Sequence, residues 1–268
     1  MQSCEDITAR NNVNIVGTGS TTLMLAHGFG CDQQMWRYLL PMLADHYRLV
    51  LFDYVGSGQS DLSAFSASRY RTLEGYARDV NEICAALDLE RVVFVGHSVS
   101  AIIGLLAALE APSRFAGHAM VCPSPCFLNK PPDYHGGFER EDLAELIALM
   151  DRNHLGWAHQ LAPLVMGHES PQRLNDELTA SFCSTDPLVA RTFAHATFFC
   201  DYRSILPKVA QPSLILQSAS DGLASPAVGR YMHGQLPDST LQILPTAGHA
   251  IHMTHPELVR DELFSFAA

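Results

Sequence analysis

Lysine is nearly absent from this chain of 268 residues. Lys130 and Lys208 are the only two among 17 basic residues, set against 28 acidic ones for a net charge of −11. With the arginines scattered, no basic stripe exists to neutralise a phosphate backbone, which argues against a nucleic-acid partner. Long apolar runs are also missing. The longest, Ala101 to Leu109, is interrupted by Gly104 and falls far short of the roughly 20 residues that cross a bilayer. The start of the chain, Met1 to Asp6, is polar and acidic rather than an apolar export core. No membrane association is expected. The seven cysteines (Cys4, Cys31, Cys84, Cys122, Cys126, Cys183 and Cys200) form neither a CxxC pair nor an even framework, the usage of a reducing, cytoplasmic setting. Internal repeats and low-complexity tracts are absent too.

What is present is apolar material, 47% of the residues, in a chain long enough to bury roughly three quarters of its unfolded surface. Short aliphatic runs alternate with helical patterns. The runs are 14–16, 22–26, 48–52, 92–95, 118–122, 213–217 and 241–244; between them, 33–43, 72–87, 98–109, 226–235 and 256–266 carry apolar residues at three- and four-residue spacing. Such alternation predicts an α/β fold with a mostly parallel sheet flanked by helices. It stops between Pro123 and Pro212. There the patterns predict four helices, 140–151, 154–165, 172–181 and 187–199, with Asp186-Pro187 as a start signal. An insertion this long at the carboxyl end of a strand reads as a lid. The expected organisation is a core of 1–123 and 212–268 interrupted by a helical lid, 124–211.

The sharpest chemical signal is Val92 to Ala101, where an apolar strand runs through Gly96-His97-Ser98 directly into a helix. A strand-turn-helix of this kind lifts a serine hydroxyl above the sheet edge, a nucleophile elbow. Ser100 stands where a second glycine is usual, and it is still small. A serine needs a base, and the base needs an orienting carboxylate. Asp221 follows the strand 213–217, and His249 follows the strand 241–244, giving the order Ser98, Asp221, His249. His249, His252 and His255 stand three apart, but Gly248 and Pro256 break any continuous helix between them, so no metal is expected. Leu25-Ala26-His27-Gly28-Phe29-Gly30 supplies a strand end and glycine-flanked turn for an oxyanion hole, with the Phe29 and Val99 amides as donors. The loop Asp53 to Ser60 lacks the third glycine and following helix of a dinucleotide site. It reads as a structural turn, and no cofactor is expected.

Taken together, these elements resemble the α/β-hydrolase superfamily along essentially the whole chain. Longer motifs narrow the resemblance: His27 to Gln33, Phe52 to Asp61, Gly96 to Ala101, Pro123 to Asn129, Tyr134 to Phe138 and Phe182 to Pro187. These are similar to the group containing the bacterial energy-stress regulatory hydrolase and the plant strigolactone and karrikin receptors. The segments Phe182 to Pro187 and Cys126 to Asn129 follow the bacterial pattern most closely. The resemblance implies a four-helix lid over a deep apolar pocket, walled by Phe29, His97, Val99, Phe127, Phe138, Trp157, Leu161 and Phe198. Taken alone, the aromatic residues at helical spacing read as core. The resemblance also implies either a serine hydrolase for a small hydrophobic ester or lactone, butenolide-like compounds included, or a regulator whose slow hydrolysis controls binding to a protein partner such as a phosphatase.

Overall fold

A computed structural model describes residues 4–267. Seven strands form one sheet in the order β1-β3-β2-β4-β5-β6-β7: β1 (Asn14–Val16), β2 (Thr21–Ala26), β3 (Tyr47–Leu51), β4 (Val92–His97), β5 (Phe115–Val121), β6 (Ser213–Ser220) and β7 (Ser239–Ala247). Only β1 runs antiparallel, along the edge of β3, and the other neighbours are parallel. Central β4 is buried at all six positions. That accounts for its unbroken apolar sequence, since helices cover both faces.

The connecting helices are α1 (Cys4–Arg10), α2 (Leu40–Leu43), α3 (Ala67–Tyr70), α4 (Leu73–Ala86) and α5 (Val99–Glu110). Gly104 within α5 lies so close to β4 that a Cβ there would sit 2.3 Å from the Phe94 ring. The helix read over 33–43 is in fact split into a 3-10 turn, Gln33–Trp36, and the single-turn α2. Asp32 caps the turn through the Gln34 amide, and Pro41, lacking an N–H, cannot continue a helix from it. Among the described residues three short α-helices escaped the sequence pattern, α1, α3 and the single turn Ile251–Thr254. Seven-residue α1 buries only Ile7 and Arg10, and Arg10 pairs with Asp79 and Glu82 of α4; α3 is a single turn.

Between β5 and β6 come α6 (Arg140–Arg152), α7 (His154–Met166), α8 (Gln172–Ser184) and α9 (Pro187–Phe198). Helix α7 packs on α6 and α8, and α6 packs on α9. Asp186 accepts hydrogen bonds from the Leu188 and Val189 amides, at 2.9 and 3.3 Å, and Pro187 opens α9. A cap of this kind contributes about 1 kcal/mol. The last helices are α10 (Pro226–Gln235), which packs on β6 and β7, and α11 (Ile251–Thr254) and α12 (Pro256–Phe266), which pack on each other. Among the described residues no helix is long and apolar enough to cross a membrane.

Candidate active site

Three strand ends converge at the carboxyl edge of the sheet. Ser98 leaves β4 with φ 55° and ψ −120°, backbone strain of about 1–3 kcal/mol that surrounding packing must hold. Gly96 makes the turn possible, because a Cβ there would sit 2.6 Å from the Ala101 amide nitrogen. The Ser98 hydroxyl lies 2.7 Å from His249 Nε2, and His249 Nδ1 lies 2.7 Å from Asp221 Oδ2. This geometry fixes the tautomer. Nδ1–H donates to the carboxylate, leaving Nε2 to accept the Ser98 proton.

Each partner is held from behind. Asp221 Oδ1 accepts from the Leu223 and Ala224 amides at 2.8 and 3.0 Å. Burial works to raise the Asp221 carboxyl, but His249 and these amides outweigh it and hold the group below its ordinary range. The His249 backbone is clamped at both ends: its amide donates to the Val165 carbonyl at 2.6 Å, and its own carbonyl lies 3.1 Å from His97 Nε2. The His97 ring also stands 5.0 Å from that of His249 and 4.5 Å from that of His252. Burial, followed by the neighbouring His252 and His249, pushes His97 well below the usual histidine range. It is therefore a neutral donor.

The Phe29 amide is claimed by no hydrogen bond among the described residues, and the Val99 amide opens α5, where helix geometry leaves it unpaired. His27 fixes this turn. Its Nε2 accepts from the Tyr54 amide at 3.1 Å, so its Nδ1–H donates to the Gly28 carbonyl at 2.9 Å. The glycine loop at 53–60 is tied to itself and to its neighbours: Asp53 accepts from the Gln33 and Gln59 amides and from Asn12 at 2.8–3.0 Å.

Above Ser98 lies a cavity with about 470 Å³ of empty space, part of it open to solvent. Of the residues the resemblance names, Phe29, His97, Phe127, Leu161 and Phe198 line it. Val99, Phe138 and Trp157 do not. The Val99 side chain is buried in the core, so only its amide bears on the site. Phe138 is stitched by its backbone to Phe127 and Asn129, which leaves Phe127 to face the cavity. Trp157 lies behind Phe29 and Phe182, with ring centroids at 6.0 and 5.1 Å. Residues not foreseen complete the wall, notably Val165 and Leu178 from α7 and α8, and Met35, Leu223 and Met253.

With this geometry in hand, comparison with known proteins is direct. The sequence model of the alpha/beta hydrolase fold matches residues 21–256. The chain belongs to the α/β-hydrolase fold family. A probable esterase of Oryza sativa subsp. japonica is 39% identical over 251 residues, covering 93% of this chain and 92% of the relative. A karrikin insensitive 2 receptor of Petunia hybrida is 38% identical over 250 residues, covering 93% and 92%. A solved hydrolase from Oleispira antarctica is 56% identical with a TM-score of 0.98, covering 99% of this chain and 97% of that one.

Two features of this hydrolase had escaped sequence reasoning. Ser100 is more than a small residue at the elbow: its hydroxyl donates to the His27 carbonyl and accepts from Tyr54 Oη at 3.0 Å, tying elbow to oxyanion turn. Cys122, buried at φ 49° just past β5, places its Sγ, with Asp221 and His249, in one group of potential metal ligands within 4.8 Å. Those groups fit a metal poorly. His249 Nδ1 and Asp221 are spent on each other, while burial and the Asp221 charge keep the Cys122 thiol protonated. The other two histidines of the His249 series lie elsewhere: His252 packs on Trp36 at 4.5 Å, and His255 Nδ1 lies 2.9 Å from Thr254 Oγ1.

Proposed function

We propose that this chain is a serine hydrolase cleaving a small hydrophobic ester or lactone through an acyl-enzyme, with Ser98, His249 and Asp221 as its triad. The observation that carries this is the unbroken 2.7 Å and 2.7 Å relay on the floor of an apolar cavity. Ser98 Oγ attacks the carbonyl carbon while His249 Nε2 takes its proton, and Asp221 stabilises the resulting imidazolium. The Phe29 and Val99 amides receive the oxyanion. Collapse expels the alcohol, protonated by His249, and water then releases the acid by the same steps. Apart from catalytic groups the lining is largely apolar, which suits a hydrophobic substrate. In this reading 124–211 is the lid over a core of 1–123 and 212–268, and seven free cysteines fit a cytoplasmic setting.

A second reading, a ligand sensor with a protein partner such as a phosphatase, is favoured by one contact. The His249 amide bonds to Val165 of α7, so chemistry that shifts the base pulls directly on a lid helix. The likeness to a plant receptor agrees. Turnover of short-acyl nitrophenyl esters and a butenolide enol ether, followed by intact mass, separates the two. Many turnovers without retained mass mark a metabolic hydrolase, and one slow turnover with mass retained on Ser98 or His249 marks a sensor. Ser98→Ala is expected to lose at least about 10⁴-fold in rate while remaining folded; comparable activity in that variant would refute both readings.

A further inference from the structure

Beside the active-site cavity lies a second hollow of about 630 Å³, open to solvent, between the 31–35 segment, α8 and Met253. Four residues, Cys31, Met35, Leu178 and Met253, line both hollows. The wall between inside and outside is therefore made of side chains. Two of them are methionines, unbranched and able to swing aside with no backbone change.

The outer hollow is acidic, lined by Asp32 and Glu177. Glu177 is forked to Arg37. The Asp32 carboxylate accepts from the Gln34 amide at 2.8 Å and has no ion pair among the described residues. Neither hollow is lined by a lysine or arginine. A ligand carboxylate on this route would meet like charge at the mouth and, further in, an apolar cavity without a counter-cation, where burying an unpaired charge is costly.

We propose that the outer hollow is the vestibule through which substrate reaches Ser98, and that Asp32, with Glu177 beside it, makes it a charge filter passing uncharged esters and lactones and rejecting carboxylate-bearing ones. The proposal rests on the serine-hydrolase reading and adds the substrate's charge class to it. It also gives the reaction a direction. The product acid ionises on release, and the same carboxylates oppose its return, so the acid is a poor inhibitor.

The test uses two aryl butanoates of similar leaving group, 4-carbamoylphenyl butanoate and 4-carboxyphenyl butanoate, with the full chain, Asp32→Asn and Glu177→Gln at low ionic strength. Asparagine keeps the cap on Gln34. The quantity read is the ratio of kcat/KM for the charged ester to that for the neutral one, within each protein. The wild-type ratio is expected below about one tenth, each variant should raise it about three- to ten-fold, and added salt should narrow the differences. A ratio that is the same in all three proteins would overturn the filter. Failure of the wild-type chain to cleave even the neutral ester would instead strike the hydrolase reading, so the two failures are distinguishable.

Discussion

The carboxyl edge of the sheet and the helical roof build one cavity by different means. At the sheet edge, backbone decides. Ser98 is held in a strained turn, Asp221 by two amides, His249 by bonds at both its amide and its carbonyl, and the Phe29 and Val99 amides need no side chain at all. In the roof, side chains decide. Leu161, Val165, Leu178, Phe182 and Phe198 give the cavity its shape and contribute no reacting group. The lesson is a division of labour: chemistry resides where chain geometry is over-determined, and selectivity where a methyl group more or less is tolerated.

Some histidines follow the same line, while His46 and His233 of the sheet region are exposed. In the sheet region His27, His97, His118 and His252 are buried, whereas the roof's His159, His168 and His195 are exposed. Burial brings His118 and His252 down to about 3, with His249 adding to the effect on His252. An unfolded histidine takes up its proton below about 6.5. These two, once folded, do not. Stability is therefore lost as pH falls from about 6.5 towards 3, by about 1.4 kcal/mol per pH unit for each. His118 offers the cleanest test, since among the described residues neither ring nitrogen has a hydrogen-bond partner and the ring stands 5.7 Å from that of Phe115. His118→Phe should recover about 2 kcal/mol of the stability lost between pH 7.5 and pH 5, read by urea unfolding at both. A loss of stability between the two pH values that is the same in His118→Phe as in the wild-type chain would contradict this.

A smaller effect probes the roof. Leu161→Trp fills the cavity without touching the relay, so kcat/KM for a butyryl ester should fall about ten-fold more than for an acetyl ester. The pH profile should stay the same. A uniform loss across acyl lengths, or a displaced profile, would mean that the roof takes part in the chemistry itself.

The same division explains what could be read from the sequence. The elbow, the Asp221 and His249 turns and the His27 to Gly30 segment are local patterns in which residue type and backbone geometry imply one another. Helices α10 and α12 begin where the sequence placed them because a proline opens each. The roof helices were legible as helices, but the face each turns to the cavity was not. Periodicity marks a residue as buried without saying whether its neighbour is protein or empty space; only the resemblance put Trp157 and Phe138 on the wall, and Val165 and Leu178 passed unnoticed. Ser100 and Cys122 were missed for a related reason: their roles depend on partners at least 46 residues away in the chain, Tyr54, His27 and Asp221 among them.

If Ser98 is the one activated nucleophile, covalent labelling will single it out. The full chain would be treated with a small neutral phosphonofluoridate and the adduct mapped by peptide mass, with Ser98→Ala in parallel. One adduct per chain is expected, on Ser98, and none on the folded variant. No adduct on the wild-type chain, or an equal adduct on Ser98→Ala at another residue, would contradict it.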